Sequence, residues 1–394
     1  MATTTRPLRL HNHDATPRAG VRTVGVEEEF LLVDGRTGVP VPLAAAVIAR
    51  AADASRDPVA ARRRTAAGPR VKFELQQEMV EVTTLPRSDL AQLRDDLREL
   101  RRDADRAARD VGARLAALAT SPLPAVPRLS PFPRYQAISR TLGVTCDEQL
   151  TCGCHVHVAV ESDEEGVGVL DRMRPWLPVL AAVATNSPYW NGQDTGYASY
   201  RTQAWSRWPT TGPTDVFGSA RRYHELVDEL IATGTPLDED MVYFDARLSR
   251  HYPTVEIRVA DVCLEVEDAA LVAGLARALV DTAALEWRSG VTPASDPTAL
   301  LRLASWRASR SGTDGDLLHP RLHRLRPAAE VLDALVEHVR PALERSGDLA
   351  DVRLGVERLL QRGTGARAQR RVVADGGGLD AVVAYAVERT CAAG

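Results

Sequence analysis

Lysine is almost missing from this chain. Among 394 residues Lys and Arg total 49, and Lys72 is the only lysine, which leaves 48 arginines (49 − 1). Where either cation serves, such a bias selects Arg, so Lys72 marks a place that needs a compact ammonium, chance survival being the alternative. Cysteine is scarce and odd in number, at five. That excludes a disulfide scaffold and points to a reducing, cytoplasmic compartment. No apolar run approaches the roughly 20 residues that span a bilayer, and residues 1–20 carry Arg, His and Asp where a secretion signal would be apolar. An excess of positive charge is also absent, the net charge being −4. Nucleic acid and anionic membrane are thereby excluded as partners. Nor is there a glycine-rich phosphate loop, since Gly376-Gly377-Gly378 lacks the Lys-Ser/Thr ending. Small-molecule chemistry is left, with any phosphate held by metals and Arg side chains.

What is present can bury a large core, 44% of the chain being hydrophobic. Residues 1–20 read as a flexible polar lead-in and 21–394 as one domain. Val21–Val33 (VRTVGVEEEFLLV) reads as a strand closed by the Asp34-Gly35 turn signal. Leu43–Ala52 is a short helix, and Val71–Thr84 a second strand or close strand pair. Ser88 is placed to cap a long helix whose apolar positions run from Leu90 through Leu100, Ala104, Val111 and Leu115 to Leu118. Cys154–Val160 alternates as a half-buried strand, Asp171–Thr185 is a helix interrupted by Pro175 and Pro178, and Thr254–Val262 is a further strand before an Ala-rich helix at Glu267–Trp287. Asn186–Ser219, rich in Gly, Pro, Trp and Tyr, is long enough to be a functional loop or lid. Strands separated by long helices, with late helices clustered, predict an α+β or α/β fold.

Carboxylates carry the chemistry. In the first strand Glu27 and Glu29 share one face while Val26, Glu28 and Phe30 share the other. Three consecutive acids among apolar neighbours are costly without a cation, either a metal or paired arginines. Glu74 and Glu78 fall on one face by alternation and Glu81 on the other, so gathering Glu74 with Glu81 requires a bulge or strong bend. In Cys152-Gly153-Cys154-His155-Val156-His157 the alternation sends the cysteines to the core and both imidazoles to the opposite face. A zinc site is disfavoured because the near pair is too closely spaced and no second pair exists. Glu256 and Arg258 share the face opposite Val255, Ile257 and Val259, as a salt bridge or as a metal-and-phosphate pair. Oxygen-rich sets with one imidazole suit Mg²⁺ or Mn²⁺, which bridge nucleotide phosphates.

These motifs, in this order, resemble the carboxylate-amine ligase family, also called glutamate-cysteine ligase type 2, of the glutamine synthetase-like superfamily. The likeness rests on Gly25–Glu29, Val71–Glu81, Gly153–Val158, Ser187-Pro188-Tyr189, Ala198–Arg201, Thr254–Asp261 and Val373–Gly377. It implies an α+β fold with a curved antiparallel sheet forming a cup backed by helices. By motif it implies metal ligands Glu27, Glu29, Glu74, Glu81, His155 and Glu256. Arg258 would contact the phosphoryl group in transfer and Lys72 the nucleotide, while Arg201, His157 and Tyr197 would line the substrate site. The implied co-substrate is ATP, the cofactor Mg²⁺ or Mn²⁺, and the partners a carboxylic acid and an amine, glutamate and cysteine first among them. Other acids and amines remain open, since Tyr197, Tyr200, Trp205 and Trp208 enrich the loop in aromatic surface. An inactive nucleotide-binding relative and a metal-dependent hydrolase are the readings from other classes. Ser121 departs from the family pattern, which often has His there. The apolar late helices and the resemblance together imply a homodimer.

Overall fold

The computed structural model describes residues 20–54 and 71–392. The expected lead-in, except Gly20, lies outside the described residues. A seven-stranded antiparallel sheet organises the fold, built from β1 (Val24–Asp34), β2 (Val71–Phe73), β3 (Met79–Thr83), β4 (Ala113–Ala116), β5 (Gly153–Ala159), β6 (Ala246–Leu248) and β7 (Thr254–Asp261). The strand order is β2-β3-β1-β5-β7-β6, with β4 also paired to β1. At 11 residues β1 is the longest strand, and this length lets it pair β3 on one side while β5 and β4 share the other.

One face of the sheet is apolar. Val24, Val26, Val156, Val158, Val255 and Ile257 are buried in a cluster with Leu93 and Leu97 of the helix Leu90–Arg109 and with Val272 and Leu275 of the helix Val266–Arg288. Each fully buried Leu or Val contributes about 1.5–3 kcal/mol. Glu28 points into this layer and meets the fully buried Arg101, with Arg101 Nε donating to Glu28 Oε2 at 3.0 Å. Arg101 also donates to the carbonyls of Leu264 and Cys263, at 3.0 and 2.8 Å. The middle acid of the Glu27-Glu28-Glu29 run is therefore the salt bridge, and its neighbours face the other way.

Two helix expectations change. The helix from Leu90 ends at Arg109, and Leu115, placed in the helix by its spacing, lies in β4. Gly112, at φ +83°, adopts a backbone that most residues resist, and the chain reverses there. Asp89, not Ser88, caps the helix by accepting from the amides of Ala91 and Gln92. The helix expected at Asp171–Thr185 begins earlier, at Asp163, with Ser162 as its cap, and resumes at Leu177–Val183 after a turn through Pro175. In the Asn186–Ser219 stretch stands a short helix, Tyr200–Trp205. None of the described helices is long and apolar enough to cross a membrane.

Candidate functional site

The polar face of the sheet carries three cross-strand rows, because directly opposed residues of an antiparallel pair project to the same side. Lys72, Glu81 and Glu29 form the first row across β2, β3 and β1. Thr83, Glu27 and His155 form the second, across β3, β1 and β5. His157, Glu256 and Arg247 form the third, across β5, β7 and β6. The parity conflict between Glu74 and Glu81 disappears because Val71–Thr84 is a strand pair. Glu74 leaves β2 just beyond Phe73, and Glu81 returns on β3 opposite Lys72.

Five glutamates, three imidazoles and four arginines, Arg134, Arg247, Arg250 and Arg258, line one cavity of about 300 Å³, together with Tyr135, Trp205, Trp208, Tyr243 and other side chains. Glu27 lies 3.5 Å from His157 Nε2 and 3.9 Å from His155 Nδ1, and Glu29 lies 3.9 Å from His155 Nε2. The amide of Gly153 donates to Glu29 Oε2 at 2.5 Å. Lys72 Nζ donates to Glu81 Oε1 and Thr83 Oγ1, both at 3.0 Å. Arg247 grips Glu256 with two hydrogen bonds, Nε to Oε2 at 2.8 Å and Nη2 to Oε1 at 3.2 Å, while Arg258 Nη1 also donates to Oε1. An extra residue in β7 between Ile257 and Ala260, opposite Cys154 and Val156, interrupts the ladder beside Arg258.

The electrostatics divide the glutamates. Burial raises Glu74 far above the usual carboxylate range, and Glu29 and Glu81 add repulsion. Burial and the Glu27 charge push Glu81 up to about 7, against the pull of Lys72. For Glu27, burial is outweighed by His155 and His157, which hold it well below normal. Burial of Glu256 is likewise overcome by Arg258 and Arg247. Desolvation and then the Arg258 charge lower His155, whereas Glu27 raises His157 despite its burial.

Not every expected residue reaches the cavity. Tyr197 packs against Tyr200 and Trp306 outside it, with Trp306 Nε1 donating to its hydroxyl at 3.3 Å. Arg201 is buried behind the lining, so close that a Cβ on Gly153 would stand 2.3 Å from its Nη2 and 3.1 Å from His155 Nε2. Lys72 reaches Glu81 from beside the cavity. The Ser187 and Ser199 hydroxyls both donate to Asp261, at 2.7 and 2.8 Å, so those motif segments fasten the loop to β7. Val373–Gly377 ends a helix, with Gly376 at φ +95°. Arg247 and Tyr243 are cavity residues that the sequence reading missed. The signal for Arg247 was the short hairpin Ala246–Thr254, which sets it opposite Glu256.

Among the described residues, no three His, Cys, Asp or Glu side chains converge as a ready-made metal cage. The donor set nevertheless fits Mg²⁺ or Mn²⁺, which use one or two carboxylates and draw their remaining oxygens from phosphate and water. His155 Nε2 is buried without a hydrogen-bond partner, and Glu29 and Glu74 have no Arg or Lys within salt-bridge distance among the described residues. Each is a group that a cation would satisfy.

The fold is shared with two solved ligases. The bifunctional glutathione synthetase of Pasteurella multocida superposes with a TM-score of 0.67 at 15% identity over 94% of this chain. This chain spans about half of that protein, 52% of its length. The glutamate–cysteine ligase of Francisella tularensis, solved in complex with AMP, gives 0.67 at 11% identity over 94% of this chain and 88% of its own. Residues 23–385 match glutamate-cysteine ligase family 2, and the chain belongs to that family of ligases. A Streptomyces coelicolor protein named "Putative glutamate--cysteine ligase 2" is 54% identical over 374 residues, covering 95% of this chain and all of its own. A Paenarthrobacter aurescens relative, named with the suffix 2-1, is 52% identical over 95% of this chain and 96% of its own.

Proposed function

We propose that this ligase couples ATP cleavage to ADP with amide formation between glutamate and cysteine, through an acyl phosphate. The observation that carries the reading is the three rows of side chains, whose carboxylates and imidazoles face one cavity beside Arg258 in a member of this family. Glu27, Glu29, Glu74, Glu81, His155 and Glu256 would hold Mg²⁺ or Mn²⁺, which when bound neutralises the triphosphate charge that repels an incoming carboxylate.

The chain's own contribution is position and charge. Arg258, over the Tyr243 ring at 5.7 Å, is fixed where a guanidinium can stabilise charge developing on the transferred phosphoryl group. The substrate carboxylate attacks the γ-phosphorus and ADP leaves. The amine then attacks the acyl carbon and releases inorganic phosphate. His157, held by a 3.0 Å contact between Nδ1 and Thr254 Oγ1, shapes the pocket wall beside Glu27. Lys72 adds a compact positive charge at the nucleotide end. The five cysteines are free, as a reducing cytoplasm would keep them.

Purified protein given ATP, Mg²⁺, glutamate and cysteine should release ADP and phosphate in step with amide. Release of AMP and pyrophosphate would overturn the mechanism. A second reading, the same chemistry on an apolar acid or amine, is favoured by the rings of Trp205, Trp208 and Tyr243, whose centroids lie 4.9–5.2 Å apart in the cavity lining. Faster ADP release with apolar amines than with cysteine would select it.

A further inference from the structure

The six proposed metal ligands are not equally free. Both oxygens of Glu256 are engaged, Oε2 by Arg247 Nε and Oε1 by Arg247 Nη2 and Arg258 Nη1. Glu81 Oε1 accepts from Lys72. Arg247 is itself tied down, because its Nη1 donates to the carbonyls of Val242 and Asp240 at 2.9 and 3.1 Å. By contrast, Glu29 and Glu74 have no Arg or Lys within salt-bridge distance among the described residues, and His155 Nε2 has no hydrogen-bond partner.

We infer that Arg247 and Lys72 are resident counter-cations, positioning residues that hold Glu256 and Glu81 in a charge-neutral state until metal arrives already bound to nucleotide. This rests on the metal reading proposed above. A carboxylate that accepts three guanidinium hydrogen bonds has few lone pairs left, and a bare divalent ion must enter against two fixed positive charges. The triphosphate changes that balance. It offers Arg258 a richer set of acceptors than Glu256 does, and it brings the ion with most of its charge already compensated. Arg247 stays on its carbonyls, and Glu256 keeps its aim while Arg258 changes partner. Glu256 and Glu81 thereby discriminate against bare ions, and at these two ligands the order of assembly is nucleotide with metal, not metal and then nucleotide.

The test measures bound Mn²⁺ by electron paramagnetic resonance on the intact protein, with and without ADP, so turnover plays no part. Without nucleotide, Arg247→Gln should bind Mn²⁺ about tenfold more tightly than wild type, since one repelling charge is removed. Arg247→Lys, which keeps that charge, should bind like wild type. Lys72→Met should shift in the same direction as Arg247→Gln, and its half-buried position at the cavity rim keeps the comparison alive if Arg247→Gln fails to fold. Unchanged or weaker Mn²⁺ binding in Arg247→Gln and Lys72→Met overturns the inference alone, provided wild type takes up Mn²⁺ with ADP. No Mn²⁺ uptake by wild type even with ADP overturns the metal reading and this inference with it.

Discussion

Glu74 is placed against its own stability. It is held near other carboxylates without an Arg or Lys partner among the described residues, and burial with repulsion from Glu29 and Glu81 raises it. Replacing it by Gln removes repulsion while keeping shape. Without metal or nucleotide, Glu74→Gln should therefore stabilise the fold by about 1 kcal/mol while abolishing ADP release. A midpoint lower than wild type by calorimetry would refute the account of its electrostatics. Glu256→Gln should also abolish turnover, but with the opposite effect on stability, because it strands Arg247 and Arg258 without their shared carboxylate. The resemblance assigned all these glutamates to metal, with a salt bridge to Arg258 as the alternative for Glu256. Alternation showed which faced together, but Arg247 entered only through pairing across a hairpin, a relation that single-strand periodicity does not contain.

Among elements, the contact between β1 and the helix Leu90–Arg109 turns on Glu28 and Arg101, both fully buried. Breaking one partner leaves an uncompensated charge in the core. Glu28→Gln or Arg101→Met should destabilise by about 3–5 kcal/mol, whereas the double change to Leu and Met should cost much less. Chemical denaturation of the three variants checks this, and additive losses would refute the pairing. The strands that carry the site were legible because β-branched residues flank the acids in β1 and β7, and because alternation in β5 survives two imidazoles. Less legible was the end of the helix at Arg109. Val111, Leu115 and Leu118 continue a helical spacing, yet Gly112 reverses the chain and β4 takes Leu115 into the sheet. Local periodicity lost there to the sheet's demand for a strand beside β1. The break between β2 and β3 was foreseen as one of two readings, a close strand pair beside a single bent strand, because parity alone says nothing of a turn that exchanges strands.

For the molecule as a whole, acid sensitivity should arise partly away from the cavity. His338 stacks on Trp176 at 4.8 Å, and its Nδ1 lies 2.8 Å from Arg321 Nη2. Burial and the Arg321 charge push its pKa down to about 4 from an ordinary value near 6.5. The native state thus keeps the ring neutral where the unfolded chain protonates it. Its contribution is complete above about pH 6.5 and is lost as pH falls towards 4. His338→Gln should flatten the decline of the unfolding midpoint between those limits, and an identical decline in the variant would exclude this origin. Family membership was readable from motif order alone, but the placement of Tyr197 and Arg201 outside the cavity was not. Both belong to a loop whose fastening to Asp261 depends on contacts distant in sequence.

The solitary ammonium of Lys72 has a practical consequence for solution work. Its side chain is 38% exposed, and its nitrogen rests on Glu81 and Thr83 beside the proposed nucleotide site. An amine-selective acylating reagent would find one side-chain target in this chain, the α-amino terminus aside. Protection of that single position by ATP, followed by mass spectrometry, would report site occupancy directly, with no labelled substrate and no engineered residue.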